Sequence, residues 1–134
     1  MIRFLHIAFG LHILVETPAA LNFFVNPSQE LQLATPSPTA EALVRQYALL
    51  LICTNLIALV FLLRPIDKVS QRIACALGIY HLGPALRAMF RLVRNESALR
   101  TSLGGPAVHL VVHVLCLIAL TTGIIQWRAR NRRR

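Results

Sequence analysis

Several ionisable side chains sit inside stretches that are otherwise apolar enough for hydrocarbon: His12, Glu16, Arg87, His109 and His113 are the clearest. A charge near a bilayer centre costs roughly 2.5–3.5 kcal/mol even on permissive insertion scales, so such residues face a protein interior or a wet cavity. They are where function is expected. A carboxyl group beside an imidazole in low dielectric can take a proton from a bound molecule and return it elsewhere, which suits isomerisation or cyclisation of a lipophilic substrate. Glu16, His12, Arg87 and His113 are therefore the candidate catalytic residues. Arg45, Tyr47, Asn55, His81, Arg91 and His109 are candidates for orienting an oxygen or an anion of the ligand.

His12/Glu16 and His109/His113 are both i, i+4 pairs, so each pair shares one helix face, as metal ligands on facing helices would require. No HExxH or ExxH signature accompanies them. Histidines hydrogen-bonded across helices are the favoured reading, and no metal or cofactor is expected. Nucleophile elbows, phosphate loops and cofactor fingerprints are also missing from the sequence, so it does not decide between an enzyme and a non-catalytic protein.

These residues need elements to hold them, and composition says which. The chain has 134 residues, 56% hydrophobic and 14% charged, a balance unlike that of soluble domains. Apolar runs near residues 2–25, 42–63, 71–93 and 107–127 each approach the roughly 20 residues needed to cross about 30 Å of hydrocarbon. The expected fold is all-α, a four-transmembrane-helix bundle formed by a single integral membrane domain over residues 1–134, with an Arg-rich tail at 128–134. The net charge of +9 does not point to nucleic acid, because no soluble module is left to present a basic face. Membrane lipids are the expected partners of the basic residues.

Loop charge sets the expected orientation. Arg3, Arg64, Lys68, Arg72 and the tail arginines fall on one side of four crossings, and Arg45, Arg87, Arg91, Arg94 and Arg100 fall at or near the other. The positive-inside bias then places both termini in the cytosol. Thr17-Pro18-Ala19-Ala20 imitates a signal-peptide cleavage site, but His6, His12 and Glu16 interrupt the apolar core such a signal needs. With cytosolic termini, Glu16, Arg45, Tyr47, Arg87, Arg91, His109 and His113 all fall in the outer half of the bundle, with His12, Asn55 and His81 nearer the middle. Glu16 and Arg87 lie at compatible depths and are expected to pair, with Arg45 as the rival partner. The inner half has few such groups, which argues against conduction of protons or ions.

Local signals refine the elements. Pro18 should kink or break the first helix, and Gly83-Pro84 should interrupt the third. The segment from Asn26 to Glu41, with Pro27, Pro36 and Pro38, reads as a loop that caps the bundle. Ser37-Pro38 fits an N-cap with proline at the first helical position. Arg64-Pro65 ends the second helix, and the short connection after it makes the second and third helices an antiparallel hairpin. Gly104-Gly105-Pro106 starts the fourth. Ala74-xxx-Gly78 and Ala119-xxx-Gly123 have the spacing that lets membrane helices approach closely. Cys53, Cys75 and Cys116 show no ligand spacing and read as small buried packing residues. Trp127 reads as an interfacial anchor. Asn95-Glu96-Ser97 is a glycosylation sequon close to the membrane. Closely spaced arginines such as Arg128-Ala129-Arg130 are similar to receptor-read retention signals, which makes the endoplasmic reticulum the expected compartment.

A polar-studded first helix, a Pro-rich loop, Arg45-Gln46-Tyr47 at the start of the second helix and Gly104-Gly105-Pro106 at the start of the fourth together resemble small DoxX-like four-helix membrane proteins. His81-Leu82-Gly83 on the third helix is also similar to the four-helix scaffold of the sterol demethylation complex, with Pro84-Ala85 where that scaffold carries an acidic residue. Both resemblances imply a four-helix membrane fold. From the polar cluster, the leading expectation is a protein that binds a lipophilic small molecule in a lumenal-half polar pocket, with isomerisation or cyclisation of that molecule left open. The alternative is a non-catalytic scaffold that gathers other membrane enzymes.

Overall fold

The computed structural model describes residues 3–31, 35, 37–94 and 104–132. Its elements are α1 (Phe4–Val25), the short α2 (Pro27–Leu31), α3 (Pro38–Leu63), α4 (Lys68–Val93) and α5 (Pro106–Asn131). The four long helices are each long and apolar enough to cross a membrane. They run alternately up and down and pack as an all-α bundle. Side chains such as Leu14, Leu63, Ile79 and Val93 stand on its outside. That outward apolar coat suits lipid, since lipid rather than water would then cover it.

The helix ends follow local chemistry. Ser37 caps α3 by accepting from the Ala40 N–H at 3.4 Å, with Pro38 in the first turn. Asp67 caps α4: its Oδ1 accepts from the Ser70 N–H at 2.8 Å and from the Ser70 hydroxyl at 2.9 Å, while the Asp67 N–H donates back to Ser70 Oγ at 3.2 Å. This reciprocal cap starts α4 before the apolar run does. Gly104, at φ +97°, turns the chain ahead of Pro106 in a conformation that favours glycine. α5 then runs through Trp127 and into the basic tail as far as Asn131.

Neither Pro18 nor Pro84 ends its helix. α1 continues through Pro18 and α4 through Gly83-Pro84, each as one helix. In an apolar span the cost of exposing backbone groups favours keeping every remaining helical hydrogen bond. The segment expected as a loop holds α2 instead. Cys53 and Cys75 are exposed on the helix surfaces, and Cys116 alone of the three is buried. Trp127, near the end of α5, is half-buried and packs against the core.

Backbones approach most closely between α1 and α3, α1 and α5, and α4 and α5. α3 and α4 are antiparallel and joined by the short 64–67 connection, yet are not among these close pairs. Around the bundle the order is therefore α3, α1, α5, α4, with α1 and α4 on a diagonal. Small residues explain one close seam: a Cβ added at Gly123 would lie 2.7 Å from Leu5 Cδ1 and 3.2 Å from Leu5 Cα. At Gly78 the nearest such contact, Leu117 Cδ1, is an ordinary 3.6 Å.

The start of α1 is tied to the α3–α4 connection. Arg3 Nη1 donates to the Ile66 carbonyl at 3.2 Å, and His6 Nε2 donates to the Arg64 carbonyl at 3.1 Å. This end of the bundle is filled by Leu5, Ala8, Phe9, Ala58, Phe61, Ile66, Ala74, Leu77 and Leu120. In the other half, small apolar residues such as Ala20, Ala48, Ala85 and Cys116 surround the buried polar side chains His12, Glu16 and His81.

Candidate functional site

Glu16 stands about 18 Å along α1 from Phe4, and Tyr80 stands the same rise along α4 from Lys68, both counted from the same end of the bundle. Depth alone thus brings them level. Tyr80 Oη donates to Glu16 Oε2 at 2.9 Å, and Tyr47 and Tyr80 hydroxyls lie 3.2 Å apart. Tyr47 is also packed on Phe23 and remains 38% exposed, so this hydrogen-bonded route leads from the bundle surface to a carboxyl group that is 1% exposed.

Behind Glu16 lies a row of imidazoles. His12 Nδ1 and His81 Nε2 are 2.9 Å apart, and His81 Nδ1 and His113 Nδ1 are 2.9 Å apart. His12 and His81 are fully buried, and the His113 side chain is 12% exposed. A neutral imidazole carries one N–H, so His81, bonded at both ring nitrogens, must donate at one and accept at the other. The row can therefore be ordered in either of two senses. Reversing it shifts one proton along all three rings.

Glu16 Oε1 lies 3.5 Å from His81 Nδ1 and 3.5 Å from His113 Nδ1. It is buried without a hydrogen-bond partner among the described residues, as is His12 Nε2. One ligand atom each from His12, Glu16 and His81 fall within 4.8 Å of one another. The cluster thus joins α1, α4 and α5, and its Tyr80–Tyr47 branch reaches α3.

The other sequence candidates are placed around it. His109 sets its ring edge against His113 at 6.4 Å between centroids, one turn towards the start of α5. Asn55 donates to Thr17 Oγ1 at 3.2 Å, next to Glu16 in sequence. Arg91 is half-buried on the last turns of α4. The expected Glu16–Arg87 pair is not the one formed: Arg87 is exposed, two turns beyond Tyr80, and Glu16 takes its contacts from Tyr80, His81 and His113. The rival is also engaged elsewhere, since Arg45 pairs with Glu41 at 3.6 Å on the surface of α3. The Tyr80 phenol satisfies one oxygen of the buried carboxyl group, and no permanent cation is brought into low dielectric, which is the less costly arrangement. The sequon at Asn95 lies outside the described residues.

Sequence reasoning passed over Tyr80 as a side chain. The signal was present, because Ile79-Tyr80-His81 puts two polar rings together at the depth of Glu16. Below the cluster, towards the end carrying Arg3 and Arg64, the apolar core closes the bundle. No polar chain among the described residues runs through that half.

The chain is thus a polytopic membrane protein with a buried His/Glu cluster. No family model matches it, and neither curated proteins nor solved structures give a match.

Proposed function

We propose that this chain binds a lipophilic small molecule at the His12/Glu16/Tyr80/His81/His113 cluster and isomerises or cyclises it by moving protons. The observation that carries this reading is Glu16 Oε1, a buried oxygen without a hydrogen-bond partner among the described residues, beside two imidazoles that can relay protons. Buried polar atoms without a partner are uncommon in native proteins, and each calls for an explanation. Glu16 Oε1 would accept a proton from one carbon of the substrate, and a proton returned from the cluster at another carbon completes an isomerisation with no net change in atoms or electrons. Tyr80 Oη holds the other carboxyl oxygen and fixes its orientation.

Access is lateral in this proposal. α3 and α4 are the loosely approached neighbours, and Tyr47 and Tyr80 stand between them. A molecule dissolved in the bilayer could reach the cluster there without crossing water. The apolar half of the core supports a closed site over a conducting one. The arginine-rich end of α5 supports residence in the endoplasmic reticulum membrane with both termini cytosolic.

The test is extraction of bound small molecules from protein purified in mild detergent. Wild type and the lipid-facing variant Leu14→Ala should retain the same lipophilic molecule, while Glu16→Gln should retain an isomer of equal mass. If all three hold only what empty micelles hold, the reading fails. Stoichiometric co-purification of membrane enzymes in that case would favour the scaffold alternative.

A further inference from the structure

Glu16 Oε1, His81 Nδ1 and His113 Nδ1 come from three different helices and form a triangle with sides of 3.5, 3.5 and 2.9 Å. The point equidistant from its corners lies roughly 1.9 Å from each atom, just short of the bond lengths of about 2.0–2.2 Å that Zn²⁺ makes with histidine nitrogen and carboxylate oxygen. An ion slightly out of the plane meets those lengths, and out of the plane is where a tetrahedral ion sits above three of its ligands. Two imidazoles and one carboxylate form a set used by divalent first-row metals with open positions. From these atoms we propose a divalent transition-metal site: Glu16, His81 and His113 are the ligands, and at least one coordination position is open.

Two further observations support it. Glu16 Oε1 is buried and has no hydrogen-bond partner among the described residues, so an ion would satisfy an atom that these groups leave bare. The outer contacts are also those a metal site needs. With His81 bound through Nδ1, its Nε2–H donates to His12 Nδ1 at 2.9 Å, and the non-ligating Oε2 of Glu16 accepts from Tyr80 at 2.9 Å. Such contacts fix ligand tautomer and orientation. One carboxylate against a 2+ ion leaves a single positive charge, which an anionic or oxygen-bearing molecule in the open position would offset.

The i, i+4 pairing in the sequence selects the wrong four residues for this site. His109 is a turn away from the triangle, and His12 lies behind His81 as a supporting acceptor; His81, on the diagonal helix, supplies the missing nitrogen. The site rests on these atoms and not on the lipophilic-substrate reading. With the ion bound, Glu16 is a ligand, and the ion becomes the group that polarises a bound oxygen.

The experiment is metal titration of the full chain, purified in mild detergent and stripped with a chelator. Zn²⁺ is titrated against a chromophoric competitor, and Co²⁺ is added separately for its visible spectrum. Wild type should bind one equivalent, and Co²⁺ should give the intense bands of a four- or five-coordinate N/O site. Glu16→Gln and His113→Ala should each weaken binding more than about 100-fold, and Tyr80→Phe by roughly 10- to 100-fold, the range for second-shell changes. His6→Gln, at the far end of the bundle, should bind as wild type does. Failure of wild type to bind stoichiometrically, or a Co²⁺ spectrum of the hexaaqua ion, would overturn the site. So would equal affinity in Glu16→Gln. The Co²⁺ spectrum of wild type decides the matter even where a ligand variant does not fold. Metal binding without any retained lipophilic molecule would support this site while removing the substrate reading, and the reverse result would separate them the other way.

Discussion

Tyr80 and Glu16 meet across the diagonal of the bundle, where the backbones of α1 and α4 do not come close and a long side chain on each must span the gap. The 2.9 Å hydrogen bond between them joins the surface-exposed Tyr47 to the buried imidazoles. Polar side chains here occupy the volume that leucine, phenylalanine and alanine fill in the other half of the core.

Replacing Tyr80 by Phe keeps the ring and removes the hydroxyl. Glu16 Oε2 and the Tyr47 hydroxyl then both lose their partner, and a buried acceptor left unsatisfied costs about 1–3 kcal/mol. Tyr47→Phe removes one neutral contact at a partly exposed position and should cost less, about 0.5–1.5 kcal/mol. Unfolding of both variants in detergent micelles, followed by helical signal, should rank them in that order.

The α1–α5 seam depends on Gly123. Gly123→Ala places a methyl group 2.7 Å from Leu5 Cδ1, which can swing away, but also 3.2 Å from Leu5 Cα, which can move only with its helix. An overpacking cost of about 1–3 kcal/mol is expected. Gly78→Ala meets only the ordinary 3.6 Å contact and should be close to neutral. Adding Leu5→Ala to Gly123→Ala should destabilise by less than the sum of the two single changes, because both act on the same gap.

Asp67 makes the α4 cap pH-sensitive. The Ser70 N–H first, then the Ser70 hydroxyl, and further down the Arg64 guanidinium, hold its carboxyl below the ordinary value of 3.8. A group depressed in the folded state adds stability that is fully present above its unfolded pKa and is lost as pH falls through its folded one. The difference in thermal midpoint between wild type and Asp67→Ala should therefore be constant near neutrality and shrink as the pH drops below the usual carboxylate range.

The bundle sets the start of α1, the 64–67 connection and the end of α5 at one end, with Arg3 and His6 bonded to carbonyls of that connection. Topology reporters fused at the N-terminus, inserted after Asp67 and fused at the C-terminus should all report one compartment, expected to be the cytosol. A reporter inserted after Asn95 should report the other. A C-terminal reporter that disagrees with the Asp67 one would contradict the alternating arrangement of the helices.

The sequence by itself determined the spans and the two proline-led starts, because the length of an apolar run and the chemistry of a cap are local properties. Depth along a helix is nearly as local, at a fixed rise per residue, so the gathering of Glu16, His12, His81 and His113 in one part of the core could be read from charge and position. Partners could not. Which face of α4 turns inwards is decided by how three other helices pack, and that rotation buries His81 while leaving Arg87 outside. The same packing sets α1 opposite α4, so Glu16 meets Tyr80 and two imidazoles rather than an arginine, and three nitrogen and oxygen atoms from separate helices converge to within 3.5 Å. Convergence of that kind is a property of helix rotation and neighbour order, and these arise only when all four helices bury their faces together.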